Sequence, residues 1–78
     1  MAMAANKFKG IRAADCREEL DAHYARAHND ANVLCLGANF TNGDKARRIV
    51  ETFLSTPFAN EERYVRRNKQ IDDIETGA

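Results

Sequence analysis

Apolar positions recur along this chain with two different periods. Ala46, Ile49, Val50, Phe53 and Leu54 fall at i, i+3, i+4, i+7 and i+8, which places one face of a helix toward a core. Thr41 followed by Asp44 gives that helix a capping box, and Ser55-Thr56-Pro57 ends it. Leu20, Tyr24 and Ala27 at i, i+4 and i+7 form a shorter stripe, with Asp15 and Glu18 as its capping pair and the polar run His28-Asn29-Asp30 as its end. Ile11 to Ala14 reads as a short strand. Val33-Leu34-Cys35-Leu36 is continuously apolar, the pattern of a strand covered on both faces, and Gly37 follows it. Met1 to Phe8 favours helix, with no residue before it to cap it and Gly10 to close it; it reads as the end of a helix. Asn60 caps a last helix whose first turn carries Glu61 and Glu62 and which runs to about Glu75. The tail, residues 76–78, is expected to fray.

The order helix, strand, helix, strand, helix, helix predicts an α/β fold with a parallel sheet. Two strands leave both edges unpaired, and parallel sheets sit inside larger layered structures. The pattern therefore reads as the second half of a doubly wound domain.

Seventy-eight residues suffice for one small domain with a marginal core. With 44% hydrophobic and 31% charged residues the composition is that of an ordinary globular protein. Twelve basic residues balance twelve acidic ones, which removes the overall basic character expected of a nucleic-acid binder. No apolar run approaches a membrane span, and the start lacks the layout of a signal peptide, so a cytoplasmic location is expected, with no nucleic-acid or membrane partner. The two cysteines, Cys16 and Cys35, are expected as reduced thiols. Cys16 at a helix start has a position that can lower a thiol pKa.

Candidate chemistry is sparse. His28 lies between a helix end and a strand, where an imidazole can serve as acid or base, or simply favour the helix dipole. His23 reads as a surface helix residue, and two histidines five apart make no metal site. Arg63 and Arg67 are one turn apart and can converge on one phosphate, whereas Arg66 points elsewhere. The same cluster can equally be a solvated face paired to Glu62. Lys7, Lys9 and Arg12 read as a solvated helix end. No glycine-rich phosphate loop or nucleophile elbow is present in the sequence.

Four blocks carry a family resemblance. Ala4-Ala5-Asn6-Lys7 with Gly10-Ile11-Arg12-Ala13-Ala14 resembles the middle of type B ribose-5-phosphate isomerases. The string from His28-Asn29-Asp30 through Leu36-Gly37-Ala38 is similar to the next block of that family. Ile49 to Phe58 resembles a third, and Arg63, Arg66-Arg67 and Ile71 resemble its C-terminal helix. Galactose-6-phosphate isomerase subunits share the superfamily.

The resemblance implies a three-layer α/β/α Rossmann-like fold, of which this chain would be the C-terminal half, a single partial domain over 1–78 with about two strands and three to four helices. It implies metal-free, cofactor-free interconversion of an aldose and a ketose phosphate, ribose 5-phosphate and ribulose 5-phosphate or a related pair, in pentose phosphate metabolism. His28 would help open the sugar ring, Asn29 would hydrogen-bond the substrate, and Arg63 and Arg67 would grip its phosphate. The family's general base, a cysteine or glutamate near a Gly-Thr-Gly loop before Ala4, and its Asp-His pair have no counterpart in these residues. Asn39 stands in place of a common arginine, Tyr64 in place of a common histidine, and one residue is added between Phe58 and Arg63. The chain alone is thus expected to be inactive, as a fragment, truncated product or split subunit acting in a homo-oligomer or beside a full-length isomerase. The alternative is a non-catalytic module that pairs with such an isomerase.

Overall fold

The computed structural model describes residues 1–37 and 42–77. Its elements are α1 (Ala2–Ala5), β1 (Ala13–Asp15), α2 (Glu19–Ala27), β2 (Val33–Cys35), α3 (Gly43–Ser55) and α4 (Glu62–Glu75). β1 and β2 pair in parallel, Ala13 opposite Val33, Ala14 opposite Leu34 and Asp15 opposite Cys35, with α2 as the crossover. The expected α/β order and parallel pairing are therefore present.

Side chains alternate across a strand, so Ala14 and Leu34 share one face of this ribbon. That face meets α2 through Ala22 and Ala25 and α3 through Ile49 and Phe53, with Cys16 and Ala31 completing the core. Ile49 and Ala22 are wholly buried.

Several boundaries differ from the sequence reading. β1 lies two residues later than Ile11 at its start and reaches Asp15, because the main chain of Arg12 is already tied to Asn32 at 2.8 Å. α2 consequently starts later. Its capping box is Glu18 with Asp21, not Asp15 with Glu18; the Asp21 carboxylate accepts from the Glu18 N–H at 3.2 Å. The Leu20–Tyr24 stripe is not the inner face. Leu20 is 60% exposed, whereas Ala22, Ala25 and Ala27 are buried, since only small side chains let α2 lie close on the sheet. α3 is capped by Asn42, whose side chain accepts from the Lys45 N–H at 2.9 Å; Thr41 lies outside the described residues. Within its stripe Ile49 is buried, but Leu54 at the far end is exposed. Glu61, not Asn60, precedes α4, because Asn60 takes φ +58° to turn the chain. α1 is a single turn, and Gly10, at φ +79°, closes the segment after it. β2 is half-buried rather than covered on both faces.

The cysteines are free thiols. Cys16 does not open α2. It is buried ahead of the cap, with its N–H donating to the Cys35 carbonyl at 3.0 Å. Burial first, then the neighbouring Asp21, Asp15 and Cys35, push its thiol up from 9.0 to about 11. Its protonated form belongs to the fold, and the unfolded chain ionises first. Stability contributed by this thiol is therefore expected to be complete below pH 9 and to fall as pH rises from about 9 to about 11. Denaturant titrations of the wild type and Cys16→Ala at pH 7.5 and 10 check this. The gap between the two midpoints should change in favour of the alanine variant at the higher pH.

Candidate functional site

His28 is the C-cap of α2, and its N–H donates to the Tyr24 carbonyl at 2.9 Å. The segment after it reverses direction at Asp30, a non-glycine residue at φ +48°. Two guanidinium groups hold that turn. Arg12 reaches the Asp30 carboxylate at 3.3 Å and its carbonyl at 3.1 Å. Arg26 reaches the same carboxylate at 3.2 Å and the Ala31 carbonyl at 2.6 Å. Arg12 also pairs with Asp72 of α4 at 3.4 Å, so it is a half-buried tie rather than part of a solvated helix end. Lys7 and Lys9 are exposed. Asn32 adds a further tie, its side chain donating to the Gly10 carbonyl at 2.8 Å.

The half-buried His28 ring stacks on Tyr64 of α4, with centroids 4.2 Å apart and planes within 16°. Tyr24 lies on His28 at 4.7 Å, and the Arg63 guanidinium sits 4.7 Å from the Tyr64 ring. His28 and Arg63, about half the sequence apart, thus flank the same buried tyrosine. His23 is exposed and meets Tyr24 edge-on.

Arg63 is paired with Glu61, not Glu62, at 3.1 Å. Both side chains are more than half exposed, so the pair is worth about 0–1 kcal/mol and an incoming anion can displace the carboxylate. Arg67 is exposed one turn beyond Arg63 on the same face; Arg66 is exposed as well.

Asn29 is set apart from these three. It is exposed and lines a cavity of about 730 Å³ together with Lys7, Lys9, Arg12, Ile71 and Ile74, a cavity that His28, Arg63 and Arg67 do not line. Asn39 lies outside the described residues. Among the described residues, no three His, Cys, Asp or Glu side chains converge to hold a metal ion, and no helix is long and apolar enough to cross a membrane.

Sequence reasoning missed Tyr64 and Asn68 as partners of His28. Asn68 is buried, and its Nδ2 donates to the His28 carbonyl at 3.2 Å. It also missed Asp30 with its two arginines. The one available signal was the i, i+4 pairing of Tyr64 and Asn68 in a helix otherwise crowded with charge.

The model of the Ribose/Galactose Isomerase family matches residues 1–71. Ribose-5-phosphate isomerase B of Escherichia coli is 41% identical over 58 residues, 74% of this chain and 39% of that protein. A 4-deoxy-4-sulfo-D-erythrose isomerase of a Clostridium species is 45% identical over 58 residues, again 74% of this chain and 36% of that protein. The solved type B ribose 5-phosphate isomerase of Trypanosoma cruzi is 47% identical and superposes with a TM-score of 0.96, over 99% of this chain and 51% of that one. The chain therefore spans between about a third and about half of the length of these relatives.

Proposed function

The chain belongs to the ribose/galactose isomerase family, and from that premise we propose that it supplies the ring-opening and anion-binding part of an aldose–ketose isomerase site. The substrate is a phosphorylated sugar, ribose 5-phosphate or a close relative, and the reaction lies in pentose phosphate interconversion. His28 exchanges a proton with the ring oxygen and the anomeric hydroxyl, opening the sugar before the carbon-bound proton moves. Arg63 and Arg67 bind the phosphate, which takes the place the Glu61 carboxylate holds against Arg63. By the family resemblance Asn29 hydrogen-bonds the sugar, although it lines a cavity that His28, Arg63 and Arg67 do not. The base that removes the carbon-bound proton comes from isomerase residues outside these 78, in a further subunit or segment.

The observation that carries this reading is the shared tyrosine: His28 and Arg63 are held against one ring, which sets an acid–base group beside an anion-binding group. A sulfo-sugar isomerase among the relatives fits a site that reads an anionic tail by guanidinium charge rather than by phosphorus itself. A second reading, a non-catalytic module that pairs with a longer isomerase, is favoured by the length comparison alone.

The test is complementation. The chain is co-expressed with the part of the E. coli relative that precedes the matched region, and ribose 5-phosphate conversion and binding are measured. Arg67→Ala should weaken binding of ribose 5-phosphate about ten- to a hundredfold, since a hydrogen bond to a charged group is worth about 1.5–3 kcal/mol. Arg66→Ala should change it little. Equal losses in both variants would mean a diffuse basic surface and would defeat the assignment. A complex that forms but neither binds nor converts the sugar would favour the second reading.

A further inference from the structure

Tyr64 and Asn68 are the only residues of α4 that are buried, and both are spent on His28. One turn apart, they approach it from the same helix face. The Tyr64 ring lies parallel to the imidazole, and the Asn68 amide donates to the carbonyl of the same residue. The His28 N–H is already committed to Tyr24, so the ring plane, the carbonyl and the N–H of this one residue are each fixed by a separate partner.

Packing alone does not account for Asn68. A buried asparagine whose Oδ1 has no partner among the described residues is a poor choice for filling space beside a helix. Its orientation is set by the carbonyl: turning the amide over would bring oxygen against oxygen and lose the one bond it makes.

We propose that Tyr64 and Asn68 together form a clamp that positions His28, making them positioning residues for the proton exchange proposed above. Tyr64 sets the plane of the imidazole, and Asn68 sets the main chain from which it projects. Because Arg63 precedes Tyr64 and rests on its ring, the clamp also fixes the spacing between the acid–base group and the anion-binding group. The proposal deepens the functional reading and rests on His28 being the ring-opening residue. The geometry of the clamp itself can be tested apart from catalysis.

NMR of the full chain supplies that test. Stacking at 4.2 Å should displace the His28 ring protons upfield by the Tyr64 ring current. Tyr64→Leu should abolish the displacement, and Tyr64→Phe should restore it. Asn68→Leu, which keeps the volume and removes the amide, should reduce it while leaving the thermal midpoint unchanged or higher. In each case the His23 resonances should stay in place, and Tyr64→Phe with Asn68→Leu decides the matter should Tyr64→Leu fold poorly. An unaltered His28 signal in Asn68→Leu and Tyr64→Leu overturns the clamp. In the complemented enzyme, Asn68→Leu, which leaves the ring under Arg63 in place, should lower kcat up to about a hundredfold with little change in KM. Ribose 5-phosphate added to the complemented wild type separates the two claims. If it leaves the His28 resonances unmoved while the upfield displacement persists, the functional reading fails and the geometry of the clamp stands.

Discussion

Ile49→Ala is expected to unfold this protein, or to lower its stability by about 2–5 kcal/mol, the cost of emptying a buried aliphatic site. Ile49 is the largest wholly buried side chain among the described residues. Its buried neighbours are Cys16, Ala22, Ala25 and Ala31, with Leu34, Leu36 and Phe53 packed against them, so the space it leaves lies at the centre of the core. A domain of this size has only a few kcal/mol in hand. Leu54→Ala, at a position 78% exposed on the same helix, should stay within about 0.5 kcal/mol. Urea titrations followed by helical circular dichroism measure both. Equal midpoints for the two variants would place the centre of the core elsewhere.

The second large effect concerns turnover. The purified 78-residue chain should show no ribose 5-phosphate to ribulose 5-phosphate conversion above background. Enolisation needs a base at the carbon-bound proton, and the thiol that follows β1, Cys16, is buried, which pushes its pKa up to about 11. A positioned base contributes about 10²–10⁴-fold, a factor the isolated chain is expected to lack. Complementation with the preceding part of the E. coli relative should restore turnover, and His28→Ala should remove it again. Turnover by the purified chain alone, abolished by His28→Ala, would show that these residues carry a complete site.

Periodicity read the architecture well where a helix is amphipathic through large side chains. The stripe through Ile49 and Phe53 faces inward as its spacing requires, and the alternation of strands and helices yields the parallel ribbon. It read α2 poorly. The ranking of side chains by size puts Leu20 and Tyr24 inside, whereas a helix lying close on a sheet needs its alanines there. Helix starts slipped because several polar residues compete for each cap, and backbone reversals at Asp30 and Asn60 carry no glycine to mark them. Of the candidate site, His28 was visible from its place between a helix end and a strand. Its partners were not, because Asn68 meets it across 40 residues of chain and no local period links them. The split between Asn29 and His28 was hidden for the same reason: Asn29 lines a cavity that His28 does not, and only the fold says where each one goes.

Asn6 gives the free edge of β1 an unusual property. Its side-chain amide accepts from the Ala13 N–H at 2.8 Å and donates to the Ala13 carbonyl at 3.0 Å, the two bonds a neighbouring strand would make to that residue. A strand arriving there does not gain those bonds; it exchanges them, and must turn Asn6 aside first. Indiscriminate cross-β growth on that side is thereby deprived of its first step. A strand that brings its own apolar side chains to the sheet face still gains by replacing the amide, so the exchange discriminates in favour of a shape-matched partner.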